Sequence, residues 1–365
     1  MLNRRELVKR AGMVSCAAMT GVSPRWAAAD DGGKPRAMVG AYYFDGWAGR
    51  NAKADDPNEP WAKGMPTHMK RRMLEEFAGR EPLWGWRDDS AEIMTRQIDL
   101  AADHGLGFWA FCWYFNSDSA KVAADPKHTG MNLFMKAPNN TRMKFCMLVA
   151  NHGGYQLKNT EGWKQATAMW MPILTHPQHL RVGGKPLIIM FDPRDSDAAG
   201  IAHLQKAAQD AGLPGVALAA CHPKPPAVGF THTTRYNVGI GWGAGETEHR
   251  YEDLIQSIPS SWQGSAEMPH IPCMVCGWDK RPWESHDPKA HHSWYFTGRT
   301  PALFQRHVND AIAWMDQHPD QATPERLAII YAWNELGEGG YLVPTKDDPD
   351  GAYLNALKAA VMTKG

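Results

Sequence analysis

A parallel (β/α)8 barrel, the TIM barrel of the α/β class, is the fold this sequence predicts, on three observations. Eight short apolar runs alternate mostly with segments of helical spacing across a chain of 365 residues, the pattern of parallel strands covered by helices. Polar and aromatic residues fall at the C-terminal ends of successive runs, and a barrel gathers those ends into one rim. Neither G-x-G-x-x-G nor G-x-x-x-x-G-K-[ST] follows any run, so nucleotide sites lose their best evidence. An open doubly wound sheet is the alternative, and the placing of the polar strand ends decides for the barrel.

The first strand is expected over 37–44 and carries Tyr42 and Tyr43 near its end. A long polar loop, 45–86, follows, with a short basic helical piece over 68–77; loops of this length in compact domains are usually functional. Residues 88–104 read as an amphipathic helix, with Ile93, Gln97, Leu100 and Ala101 on one side and Asp89 or Ser90 as cap. The second strand, 105–115, is apolar throughout and carries Trp113 and Tyr114. A short helical piece, 132–136, leads to the third strand, 144–152, which finishes on Asn151 and His152. A helix over 163–174 and a turn at 182–184 precede the fourth strand, 186–192, ending on Asp192. A helix over 198–211, closed by Gly212, leads to the fifth strand, 216–222. The sixth strand is weak and short, 234–237, with Tyr236 and Asn237. After a helical piece over 251–257 comes the seventh, 271–279, ending on Trp278 and Asp279. Residues 300–317 form a clear helix, with Pro301 early and Phe304, His307, Val308, Ala311, Ile312 and Met315 at helical spacing. The eighth strand is 327–331, and 350–362 is a closing helix.

The first 29 residues read as an export signal, leaving 30–365 as one barrel domain. Arg4-Arg5, within Asn3 to Lys9, resembles a twin-arginine motif, and Ala27-Ala28-Ala29 offers a small-x-small cleavage site. The apolar stretch between them is too short and polar to span a membrane. Export implies a periplasmic or secreted chain; a basic helix with no export role is the alternative. Met13-Val14-Ser15 is a poor lipobox for Cys16. Five cysteines remain beyond it, an odd number that cannot all pair internally. Buried, inert thiols are the default. Cys273 and Cys276 have C-x-x-C spacing but sit in an extended segment where i and i+3 face opposite ways, which argues against zinc or redox work. A net charge of +0 supports no nucleic-acid surface. The 16 Trp, several-fold above ordinary usage, suit stacking on sugar rings.

The chemistry-bearing stretch closes the eighth strand: Ala332-Trp333-Asn334-Glu335-Leu336-Gly337-Glu338-Gly339-Gly340-Tyr341. A Glu at the lip of a buried strand and a second on the following turn converge on one space. Two carboxyl groups in a cleft are the usual equipment of glycoside hydrolysis, one giving a proton and the other acting as base or nucleophile. An exposed turn pair is the bland alternative; the aromatic-Asn prefix, the buried strand and the glycines weigh against it.

Trp333-Asn334-Glu335-x-x-Glu338-Gly339, followed by Tyr341-Leu342-x-Pro344, resembles the signature of glycoside hydrolase family 99 and its WbsX-like relatives. The tyrosines ending the first strand, the run from Gly107 to Phe115, the Tyr236-Asn237 pair and Gly277-Trp278-Asp279 fit as well. Leu336 departs from the group, which often has a second Trp there. The resemblance implies a (β/α)8 barrel and a retaining hydrolase; with the export signal, the leading expectation is an exported glycosidase of α-linked mannose-like or deoxy-sugar residues in a polysaccharide. It implies that Glu335 takes the proton of the sugar 2-hydroxyl, and that Glu338 protonates the leaving oxygen and then activates water. Some relatives are labelled as polysaccharide-synthesis glycosyltransferases. The alternatives are therefore a glycosyl-transferring envelope enzyme or a non-catalytic carbohydrate-binding barrel.

Candidate substrate contacts are the rim residues Tyr42, Tyr43, Trp113, Tyr114, Asn151, His152, Asp192, Tyr236, Asn237, Trp278 and Asp279, with Trp333 and Asn334 of the motif. Strand-end packing is the alternative for the tyrosines, and a pairing with Lys280 or Arg281 for Asp279. His286, His291 and His292 lie in a polar loop without an acidic frame, so a solvated or substrate-lining loop is expected there rather than a metal site. No metal and no cofactor are expected.

Overall fold

Eight parallel strands curl into a closed ring in the computed structural model, which describes residues 35–194, 196–237, 247–263, 268–284 and 294–362. The expected export signal with Arg4, Arg5 and Cys16, and His286, His291 and His292, lie outside the described residues. The strands are β1 (Met38–Tyr43), β2 (Leu106–Trp113), β3 (Lys144–Val149), β4 (Lys185–Met190), β5 (Ala217–Ala220), β6 (His232–Thr233), β7 (Cys273–Val275) and β8 (Leu327–Tyr331). Their order around the sheet is β6-β5-β4-β3-β2-β1-β8-β7. The ring closes between β6 and β7 through a parallel bridge from Thr233 to His270, where Ile271 N–H donates to Thr233 O at 2.9 Å. Register is set by pairs such as Ala41 with Ile330 and Tyr43 with Phe111.

These strands are almost wholly buried, as their continuous apolar composition requires. The longer helices between them are α1 (Ala91–Asp103), α2 (Thr129–Lys136), α3 (Thr160–Leu174), α4 (Ala198–Asp210), α5 (Tyr251–Ser257) and α6 (Pro301–Gln317), and α7 (Ala352–Val361) follows β8. Side-chain oxygens of Ser90, Asn159, Asp197 and Thr300 cap α1, α3, α4 and α6. Each such cap stabilises by about 1 kcal/mol. The buried side of α6 is the expected one, whereas α1 buries Met94 and Ile98 and leaves Ile93 half-exposed.

Two boundaries matter for the site. β6 lies at His232–Thr233 rather than 234–237, so Tyr236 and Asn237 ride on the loop beyond it. The helical piece in the long loop after β1 is only Arg71–Glu75. That loop is nonetheless tied down. The buried Asp45 carboxylate accepts from Gly130 N at 2.8 Å at the start of α2, and Trp47 Nε1 donates to Asn334 O at 2.9 Å.

Candidate active site

Beyond β8 the chain turns back on itself in a small antiparallel pair, Asn334–Glu335 with Gly340–Tyr341. Glycine is required on this turn by close approach. A Cβ on Gly340 would lie 2.4 Å from the Tyr331 ring, and one on Gly337 would lie 2.1 Å from the Trp283 indole. The turn carries Glu335 and Glu338 into one cavity of about 700 Å³ at the C-terminal end of the barrel, the end where such barrels hold their sites.

Each carboxyl has its own tyrosine. Tyr236 O–H donates to Glu335 Oε1 at 2.6 Å, and Tyr331 O–H donates to Glu338 Oε2 at 2.5 Å. Burial raises the pKa of both glutamates. The charge of Glu338 pushes Glu335 higher still, while the Tyr236 hydroxyl pulls it back. Tyr331 and Lys280 pull Glu338 down. Two buried carboxyls in one cavity can share a proton, an arrangement able to supply an acid beside a base.

Around the pair the walls are aromatic. Tyr236 packs on Tyr331 and Phe191 with ring centroids 5.0 and 5.2 Å away, and Trp278 lies 5.7 Å from Tyr331. Of the expected contacts, Tyr114, His152, Tyr236, Asn237 and Trp278 line the cavity with the two glutamates. Asp192 is placed elsewhere. It is held by Arg194 at 2.5 Å, which keeps its carboxyl below the usual range.

The remaining expected contacts are corrected by burial. Tyr42 is fully buried, donates to Arg235 O at 2.7 Å, and supports the Tyr236 ring at 4.9 Å from behind. Tyr43, the next residue on a pleated strand, points the opposite way and donates to Asp88 at 3.1 Å. Trp113 packs outward on His128 and Trp170. Asn151 is consumed by a two-way pairing with the Asp192 backbone. Asp279 is buried between Arg80 and Arg281, the structural alternative weighed for it, with Arg80 as an added partner. The Trp333 indole donates to Gln97 at 2.7 Å, and Asn334 exchanges hydrogen bonds with the Phe44 backbone at 2.7 and 2.9 Å. The Trp-Asn prefix therefore locks the glutamate turn to β1 and α1.

Other wall residues escaped the sequence reading. Phe44, expected as the last residue of the first strand, lies just beyond β1, and His68, Lys70, Lys127, Tyr155, Lys280 and Trp283 come from connections between strands, where no periodicity marks an inward side chain. The length of the 45–86 loop was the one available signal. The described cysteines are all unpaired. No group of three or more His, Cys, Asp or Glu among the described residues is arranged to hold a metal, and no described helix is long and apolar enough to cross a membrane.

The model of the family described as "Glycosyltransferase WbsX" matches residues 230–357, which include Tyr236, Trp278 and both glutamates. The uncharacterized protein WxcX of Xanthomonas campestris pv. campestris is 24% identical over 341 residues, which cover 82% of this chain and 47% of the relative. The chain thus spans about half the length of the curated relatives it matches. Among solved structures, the GH99 endo-alpha-mannosidase from Bacteroides thetaiotaomicron is similar with a TM-score of 0.58 at 12% identity, covering 88% of this chain and 96% of that one. A glycoside hydrolase-like protein gives 0.59 at 12% identity over 90% and 95%. The barrel fold is shared with both.

Proposed function

We propose that this chain is a retaining glycoside hydrolase of α-linked mannose-like or deoxy-sugar residues in a polysaccharide, exported through its twin-arginine segment. The observation that carries the reading is the pair itself: Glu335 and Glu338 open on one cavity, each held by a tyrosine hydroxyl. In this reading Glu335 takes the 2-hydroxyl proton and O2 forms a bond to its own C1. The bond from C1 to the leaving oxygen breaks as Glu338 gives that oxygen its proton. Glu338 then takes a proton from water, whose oxygen attacks C1; the C1–O2 bond opens and Glu335 returns its proton to O2. Two inversions amount to retention, and the tethered 2-hydroxyl supplies the proximity a protein nucleophile otherwise would.

The proton must sit on Glu338 when substrate binds, although burial raises both carboxyls and the Glu338 charge raises Glu335 further. The substrate's own hydrogen bonding favours that arrangement. A 2-hydroxyl donates to Glu335 and so prefers it ionised; the glycosidic oxygen only accepts, and so prefers Glu338 protonated.

A second reading, transfer of the glycosyl group to another sugar, is favoured by the name of the matching family. Incubating the full-length protein with a panel of α-mannans and deoxy-sugar polysaccharides separates the two. Hydrolysis predicts new reducing ends with retained anomeric configuration by NMR. Elongated products with no net release would favour transfer, and binding without either would overturn both. For export, Arg4-Arg5→Lys-Lys is expected to leave the protein in the cytoplasmic fraction; unchanged periplasmic delivery would refute that part.

A further inference from the structure

The same cavity carries a cationic corner that the proposed bond cleavage does not use. Lys70, Lys127 and Lys280 all line it. Lys280 is close enough to Glu338 to lower its pKa, but the charges that move the two carboxyls include neither Lys70 nor Lys127. Those two gather around His68 instead. Burial first, then the Lys127 and Lys70 charges, push the His68 imidazole down to about 4, and its buried Nδ1 has no hydrogen-bond partner. Phe44 and Trp283 enclose the imidazole edge-on at 5.0 and 6.2 Å.

The lysines differ in how far they are already satisfied. Lys127 pairs with Asp125 at 2.8 Å, is 14% exposed, and rests over the Tyr114 and Tyr155 rings at 5.3 and 5.2 Å. Lys70 is exposed at the cavity mouth, and neither it nor Lys280 has an ion-pair partner among the described residues. Asp279 does not quench Lys280, because Arg80 and Arg281 occupy it. Lys70, Lys127 and Lys280 therefore line a space whose carboxyls, among the described lining residues, are the two glutamates. Lys127 is already answered by Asp125, but the exposed Lys70 is not, and a neutral sugar offers it no counter-charge. An anion does: ammonium groups donate to it directly, and charge-assisted hydrogen bonds are about twice as strong as neutral ones.

We propose that the glycan this cavity takes carries an anionic substituent (carboxylate, phosphate or sulfate), which Lys70 and Lys127 bind beside His68 while the reacting sugar lies against Glu335 and Glu338. This deepens the hydrolase reading by naming the substrate class, and it rests on that reading for where the reacting sugar lies.

Direct binding tests it independently of turnover. Calorimetric titration of the full-length protein would compare an oligouronate with its carboxyl-reduced copy, mannose 6-phosphate with mannose, and a sulfated oligosaccharide with its desulfated form. At least one anionic member should bind roughly 10- to 100-fold more tightly than its neutral partner, and which pair discriminates identifies the anion. Lys70→Gln removes an exposed side chain and should leave the fold intact. It should lose about tenfold of that preference while affinity for the neutral partner is unchanged; Lys127→Gln should act in the same direction. Equal affinity within every pair, or a preference untouched in both variants, would overturn the proposal. Preference for an anionic glycan without cleavage of any would sink the hydrolase reading and leave the anion site standing. Cleavage of neutral and charged glycans alike, with equal affinity, would do the reverse.

Discussion

Tyr236 and Tyr331 pack edge to face with ring centroids 5.0 Å apart, and each gives its hydroxyl to a different glutamate, Tyr236 to Glu335 and Tyr331 to Glu338. One arrives on the loop after β6 and the other ends β8, so the ring contact couples the supports of acid and base. Each hydroxyl lowers the pKa of the carboxyl it reaches. Tyr331→Phe should therefore raise the pKa of Glu338, the proposed acid, and move the alkaline limb of the kcat profile, which reports the substrate complex, to higher pH. Tyr236→Phe should raise that of Glu335, the proposed base, and move the acidic limb to higher pH. The melting temperature of Tyr236→Phe should change little. Identical displacement of both limbs in both variants would contradict the separate roles.

The barrel was legible because parallel strands buried on both faces need continuous apolar runs, and this chain has them from Leu106 to Trp113 and from Lys144 to Val149. The rim was legible as a set of strand ends. Which of two neighbours faces the cavity was not. Tyr114 and His152 line it, whereas Trp113 and Asn151 turn into packing, because the chain leaves regular pleating at that point. The lysine corner left no trace in the sequence pattern, since a Lys on a long loop looks the same whether it points to solvent or to substrate.

Gly337 tests how tightly the turn is fitted to its wall. Its Cα faces Trp283, which lines the cavity and stacks on Trp47 at 6.4 Å. Gly337→Ala should displace the indole, destabilise by about 1–3 kcal/mol as overpacking does, and raise KM more than it lowers kcat. Unchanged Trp fluorescence and KM would show that the wall yields without consequence.

Behind the motif, Asp88 accepts from Tyr43 and from Asn334 Nδ2, the latter at 3.2 Å, and its Oδ1 has no partner. Burial raises its pKa to about 7, against about 4 in an unfolded chain. The folded protein thus holds a proton that the unfolded chain releases. Stability from this group is full below about pH 4 and falls as pH rises toward 7. Asp45, raised by burial and by Asp88, acts in the same direction. Asp88→Asn keeps an acceptor for both donors and cannot ionise. Its melting temperature should fall less between pH 4 and 7 than that of the unaltered protein; parallel curves would show that Asp88 is not the titrating group.

The glutamates themselves carry the decisive test, because their proposed roles fail differently. Without Glu338 the leaving oxygen receives no proton, so Glu338→Gln should lose roughly 10²–10⁴-fold on substrates with poor leaving groups. Activated aryl glycosides need little protonation and should be spared in the first step. Without Glu335 the 2-hydroxyl keeps its proton whatever the leaving group, so Glu335→Gln should fail on both kinds of substrate. No glycosyl-enzyme should be trapped on either carboxylate, since the attacking oxygen belongs to the sugar. Folding should survive both changes, because burial of a carboxyl raises both pKa values and an amide removes that cost. Mass spectrometry showing a covalent sugar on Glu335 would replace the 2-hydroxyl route with an ordinary carboxylate nucleophile. Full activity in Glu338→Gln on unactivated polysaccharide would remove Glu338 from the chemistry altogether.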